Sequence, residues 1–258
     1  MKRLKLKEIE KWFNFNNRKP LMLWGARQVG KTYLLKNDFA SRFKDFVYID
    51  LIKDEAAREF FDTTCDAKKY IEYIEVRYNK KVSNECPLIL DEIQASLNAI
   101  TALKYFAQDF SDIPVLATGS MVRAAIKMKQ KEDFLFPVGK INSINIYPLT
   151  FDEYLLNVNE NLLSRIRECY RDKKAMESFE HEILLEYLYK YLSVGGMPEV
   201  LDTFIKSNSY VDANAVINDI YDNYLNDMSQ YNVSNETLLK TRNVYKNISS
   251  FRIHPFNI

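Results

Sequence analysis

Eight consecutive residues point to phosphate chemistry. Gly25-Ala26-Arg27-Gln28-Val29-Gly30-Lys31-Thr32 fits G-x-x-x-x-G-K-[ST], the P-loop or Walker A pattern, at every constrained position. The pattern has a physical basis. A strand must stop, turn sharply and feed a helix, so that backbone N–H groups of Ala26–Thr32 and the positive end of the helix face an anion. Gly25 and Gly30 permit the tight path. Lys31 can reach the β- and γ-phosphates, and the Thr32 hydroxyl can ligate Mg²⁺. With only six glycines in the chain, a chance match has a probability on the order of one in a thousand.

A second group follows at Leu88-Ile89-Leu90-Asp91-Glu92. An apolar strand ending in Asp, the Walker B pattern, brings a carboxylate to the Mg²⁺ shell. Glu92 beside it can orient and deprotonate a water attacking the γ-phosphate. An Asp-Glu strand end is by itself an ordinary turn; downstream of a P-loop it predicts hydrolysis rather than transfer to a small molecule. Val115-Leu116-Ala117-Thr118-Gly119-Ser120 supplies a third polar strand end. Thr118 and Ser120 are both candidates to sense a γ-phosphate or its water, with a hydroxyl-rich turn as the competing explanation for either one. Asn79-Lys80-Lys81 lacks the Asp that a guanine-reading N-K-x-D motif requires, so ATP is expected rather than GTP.

These motifs need a scaffold, and the apolar runs between them supply one. Leu21–Trp24, Phe46–Ile49, Pro87–Leu90, Pro114–Ala117 and Ile141–Tyr147 read as buried strands. The segments around residues 31–43, 53–80 and 97–110 read as helices. Strands alternating with helices predict a parallel sheet of βαβ units, with ligands beyond the carboxyl ends of the strands. The three polar groups fall at the ends of strands one, three and four. A helix over residues 2–15 carries Leu6, Ile9 and Phe13 on one face, and its lysines, interleaved with Glu8 and Glu10, read as a solvated face. After Thr150 the chain reads as helical. Thr150-Phe151-Asp152-Glu153 fits a capping box. Leu184, Leu185, Leu188 and Leu192 form one stripe, and Val216 to Met228 contains another. Residues 207–239 hold Asp212, Asp219, Asp222, Asp227 and Glu236 without a Lys or Arg, which reads as a solvated acidic face. The expected domains are 1–149, the core, and 150–258, a helical lid with the start of a further region.

Composition narrows the alternatives. The formal net charge is +1 over 258 residues, which gives no global bias toward nucleic acid. Hydrophobic residues at 47% suffice for a packed core. Two histidines and three scattered cysteines argue against His-rich metal sites, His-dependent nucleophile schemes and a disulfide framework. The basic N-terminus is followed by no apolar stretch, and no run is long enough to span a bilayer. A reduced cytoplasmic protein without a membrane partner is the expectation.

Taken in order, Gly25-Ala-Arg-Gln-Val-Gly-Lys-Thr32, Leu90-Asp-Glu-Ile-Gln94, Ala117-Thr-Gly-Ser120, Tyr147-Pro-Leu-Thr-Phe-Asp-Glu-Tyr154 and Gly195-Gly-Met-Pro-Glu199 resemble the prokaryotic AAA-type ATPases that carry a C-terminal domain related to restriction endonucleases. The resemblance spans about Trp12 to Ile248. It implies an α/β P-loop NTPase core of AAA+-like type with a helical lid, and marks Lys31, Thr32, Asp91 and Glu92 as the nucleotide site. It further implies ATP and Mg²⁺ as ligands, ATP hydrolysis coupled to conformational change, and a possible homo-oligomer. A nucleotide-gated switch with little turnover and a DNA-associated motor or loader share the same motifs, so an unknown protein or DNA is the expected partner. Relatives often have Gly-Arg where this chain has Gly139-Lys140; Arg123 and Lys140 are the candidates for a residue acting across subunits. Asn243–Ser250 still follows the family pattern and Phe251–Ile258 does not, which suggests a truncated form of the longer relatives.

Overall fold

The computed structural model describes residues 1–120, 136–228 and 235–247. Among these residues five strands, β1 (Leu21–Trp24), β2 (Val47–Asp50), β3 (Leu88–Asp91), β4 (Val115–Gly119) and β5 (Asn142–Asn145), form one sheet in the order β2-β3-β4-β1-β5. Every pairing is parallel. The α/β, P-loop-type fold expected from the alternation of strands and helices is therefore what forms. Each strand is only four or five residues long, so the polar groups that end β1, β3 and β4 lie along one edge.

Alternation along the strands sends side chains to two separate cores. Met22, Trp24, Val47, Ile49, Leu88, Leu90, Val115 and Ala117 face one side. There they meet α3 (Glu55–Thr63), α4 (Ala67–Tyr78) and α5 (Leu97–Asp109) through Phe61, Tyr70, Ile74, Ile100, Leu103 and Phe106. Phe61 and Tyr70 stack nearly parallel, with centroids 4.0 Å apart. Leu21, Leu23, Ile89, Leu116 and Ile144 face the other side and meet Ile9 and Trp12 of α1 (Leu6–Phe13) and Leu34, Leu35 and Phe39 of α2 (residues 31–42). On α1, Lys7, Glu8 and Lys11 are exposed, as the solvated-face reading expects.

Helix α2 departs from a uniform α-helix. It opens at Lys31–Tyr33, continues as a π-helical stretch Leu34–Phe39 and closes with a 3-10 turn Ala40–Arg42. The buried positions explain this. Leu34 and Leu35 recur as Phe39 and Ala40, five residues on, all buried, and i→i+5 bonding brings that spacing onto one face.

After β5 the described residues form the helices α6 (Phe151–Val158), α7 (Glu160–Asp172), α8 (Ser178–Val194), α9 (Pro198–Ser207), α10 (Tyr210–Met228) and α11 (Asn235–Asn247). The capping box of α6 forms, with the Glu153 amide donating to Thr150 Oγ1 and the Thr150 amide to Glu153 Oε2, both at 3.2 Å. One compact unit covers Met1–Asp202 and a second begins at Thr203. In the second, Tyr221 of α10 and Tyr245 of α11 stack at 5.1 Å. Asp212, Asp219, Asp222 and Glu236 are exposed, but Asp227 is buried, so the expected acidic face is not uniformly solvated. No helix among the described residues is long and apolar enough to cross a membrane.

Candidate functional site

The sheet order puts β1 between β4 and β5, with β3 beyond β4. The loop after β1 therefore lies beside the ends of β4 and β3. This is the switch-point crevice where ligands collect in parallel sheets.

The loop's backbone is constrained at three points. Gly25 lies against the end of β5, where a Cβ would stand 2.3 Å from Ile146 O. Gln28 has φ 62 and Gly30 has φ 89, left-handed values that glycine adopts at little cost. Val29 is buried in the core and anchors the loop's underside. Helix α2 then starts at Lys31, so the first amides of that helix have no intrahelical acceptor.

Lys31 is buried, and its Nζ donates to the carbonyls of Gly25 at 3.1 Å and Ala26 at 2.7 Å. Burial holds its pKa below the usual lysine value; the charges of Glu92 and Asp91 oppose this, and that of Arg27 adds to it. Thr32 Oγ1 donates to Asp91 Oδ2 at 2.8 Å, joining the loop to the end of β3. Two further hydroxyls reach the same carboxylate: Tyr48 donates to Oδ2 at 2.7 Å and Thr118 to Oδ1. The Glu92 amide lies 3.2 Å from Asp91 Oδ1 and 3.3 Å from Thr118 Oγ1. Glu92 itself has φ 52, and its carboxylate accepts from the side-chain Nε2 of Gln94. Gln94 and Ser120 are both buried.

The structure thus brings together Gly25, Ala26, Arg27, Gln28, Val29, Gly30, Lys31, Thr32, Asp91, Glu92 and Thr118, and sets Ser120 just past the end of β4. Lys140 lies elsewhere. It sits ahead of β5, whose Asn142 pairs with Leu21 at the start of β1, so it is at the opposite end of the sheet from the loop. Arg123 lies outside the described residues.

The donor set suits a phosphorylated ligand and a hard cation. A hydroxyl and a carboxylate in mutual contact are the oxygen ligands that Mg²⁺ takes, usually alongside phosphate oxygens and water. The glycine-bearing turn with its buried ammonium suits the phosphates.

Sequence reasoning missed two contributors. Tyr48 is on β2 and reaches Asp91 only because β2 pairs with β3 in parallel register; nothing in its local sequence signals this. Gln94 was visible in the Asp-Glu-Ile-Gln run, but its hold on Glu92 depends on the left-handed turn at Glu92 and the 3-10 turn Ile93–Ala95. A further wall comes from Gly195–Pro198. The Leu149 amide donates to Gly196 O at 2.6 Å, Tyr191 donates to Leu149 O at 2.8 Å, and Pro198 Cγ would lie 3.5 Å from a Cβ on Gly30.

Comparisons with known proteins bear on the family and the fold. Residues 17–155, more than half of the chain, match the family described as AAA domain. Two uncharacterized proteins of Methanocaldococcus jannaschii are similar. MJ1637 is 29% identical over 211 residues, covering 76% of this chain and 42% of that protein. MJ1544 is 27% identical over 180 residues, covering 69% and 35%. The chain therefore spans well under half the length of these relatives. Among solved structures, the Walker-type ATPase PABY2304 of Pyrococcus abyssi is similar in fold, with a TM-score of 0.51 at 15% identity, covering 88% of this chain and 73% of that one.

Proposed function

The chain belongs to the AAA-domain family, and on that footing we propose that it binds ATP with Mg²⁺, hydrolyses the terminal phosphoanhydride and passes the change to the helices after Thr150. The observation that supports this best is the Asp91 carboxylate, which receives Thr32 from the P-loop, Thr118 from β4 and Tyr48 from β2 at once. The amides of Ala26–Thr32 hold the phosphates and Lys31 neutralises charge on the γ-phosphate. Thr32 and Asp91 hold Mg²⁺, which when bound would offset charge developing on the β- and γ-oxygens. Glu92 orients and deprotonates the attacking water. Thr118, already bonded to Asp91, and Ser120 sense the γ-phosphate. The contacts of Gly195–Pro198 with the Leu149 backbone and their approach to Gly30 give the helical region a route to feel the loop.

ATP binding and turnover by the wild type, Lys31→Ala and Glu92→Gln test this. Lys31→Ala should lose binding. Glu92→Gln should bind ATP and turn it over about a hundredfold or more slowly, the range for removing a general base. Unchanged turnover in Glu92→Gln removes Glu92 from that role, and absence of nucleotide binding by the wild type defeats the reading.

One observation favours a second reading, a nucleotide-gated switch with slow turnover. The carboxylate that would activate water is already bound by Gln94. Gln94→Leu separates the two. Faster turnover in that variant marks Gln94 as a brake, and slower turnover marks it as the group that aims Glu92.

A further inference from the structure

The N-terminal segment is tied to α6 by three successive residues. The Lys2 amide donates to Asn157 Oδ1 at 2.7 Å, and Asn157 Nδ2 returns a bond to Lys2 O at 3.0 Å. The Leu4 amide donates to Glu153 Oε1 at 2.9 Å. Arg3, between them, turns inward. Its Nε lies 3.2 Å from Glu153 Oε1, its Nη1 donates to Val29 O at 3.2 Å and its Nη2 to Tyr147 O at 2.6 Å. The ion pair is almost wholly buried, with side chains 6% and 4% exposed. One guanidinium thus joins the P-loop, the segment after β5 and the first turn of α6. Burying such a pair carries a desolvation penalty that can exceed the attraction between the charges, so net stabilisation is a poor explanation for its presence.

We propose that Arg3 is a positioning residue for phosphate binding, acting through the Val29–Gly30 peptide. A trans peptide is planar, with its C=O and N–H pointing in opposite directions. Holding Val29 O toward Arg3 therefore turns the Gly30 N–H, one of the loop amides assigned above to phosphate, away from Arg3. Gly30 has φ 89, and glycine adopts either sign of φ readily, so Gly30's own conformational preference does not fix this peptide. A planar fork can take Val29 O, Tyr147 O and Glu153 together, whereas an ammonium is a point charge on a flexible stem. The inference rests on the P-loop reading for its ligand, but its structural part stands apart from turnover.

The chain has six glycines, so selective ¹⁵N-glycine labelling gives a spectrum simple enough to follow the Gly30 amide directly. In Arg3→Lys, which retains a charge for Glu153, the Gly30 signal should shift or broaden while that of Gly139 stays in place. The Kd for ADP and the KM for ATP should rise about tenfold, the effect of one lost hydrogen bond, with kcat changed less than twofold. Glu153→Gln leaves both carbonyl bonds of Arg3 available, so it should lower the melting temperature while changing the ADP Kd less than twofold. An unmoved Gly30 signal in folded Arg3→Lys, or ADP affinities that follow melting temperature alike in both variants, overturns the proposal. If the wild type binds no nucleotide, the function proposed above fails, and the Gly30 signal still reports whether Arg3 sets that peptide.

Discussion

Gly25 and Gly30 occupy equivalent-looking places in the motif, yet the structure requires glycine at each for a different reason, and substitution should separate them. A Cβ on Gly25 would stand 2.3 Å from Ile146 O, 3.3 Å from Ile146 C and 3.2 Å from Val29 Cγ2. Relief needs a movement of about 1 Å to restore ordinary contact. The atom at 2.3 Å is backbone, and that backbone is fixed by the Ile146 amide donating to Trp24 O at 2.7 Å and by a buried Ile146 side chain. Overpacking of this kind costs about 1–3 kcal/mol, and with a fixed backbone atom as the closest obstruction we expect about 3 kcal/mol. For a unit of this size that lowers the melting temperature by about 6–12 °C. Gly30 has open space, its nearest contact being Pro198 at an ordinary 3.5 Å, but its φ is 89. Ala there costs about 1–2 kcal/mol, and Asn, which tolerates the left-handed region, should recover part of it. Thermal melting by circular dichroism, with ADP titration beside it, should rank the damage Gly25→Ala, then Gly30→Ala, then Gly30→Asn. A wild-type melting temperature for Gly25→Ala, or Gly30→Asn as harmful as Gly25→Ala, refutes the reasoning.

Other consequences follow from the same contacts. Tyr48→Phe removes one of three hydroxyls on Asp91 and should lower stability by about 1.5 kcal/mol in urea denaturation, since bonds to charged acceptors exceed neutral ones. Thr150→Ala dismantles the capping box of α6 and should cost about 1 kcal/mol by the same measurement. Burial lowers the Lys31 pKa from 10.5, so between that lowered value and 10.5 the free folded protein holds fewer protons than the unfolded chain and its stability rises with pH. Polyphosphate favours the ammonium form, so ADP affinity should fall as pH rises through the lowered value. Lys31→Arg should lack that falling limb, and calorimetric titration across the alkaline range reads both.

The groups that do chemistry were legible because their requirements are local. A tight strand-to-helix turn needs its glycines, lysine and threonine within eight residues, and a carboxylate at a strand end needs only the apolar run before it. The capping box at Thr150–Glu153 is equally local and forms as read. What holds those groups in place was not legible, because it comes from far along the chain. Tyr48 meets Asp91 across 43 positions and Arg3 meets Tyr147 O across 144, and both contacts depend on the strand order rather than on spacing. Periodicity shows its limits in α8, where leucines at helical spacing predict the helix, yet Leu192 is 65% exposed and Val194 is buried; the pattern identifies a helix without identifying what covers it. The same division applies to Gly25. Conformational freedom was the reason available from sequence, but the close approach comes from Ile146, just past the end of a strand that enters the sheet more than a hundred residues later. Substitutions inside the motifs therefore test the chemistry, and substitutions at Arg3, Tyr48 and Gln94 test whether the distant contacts aim it.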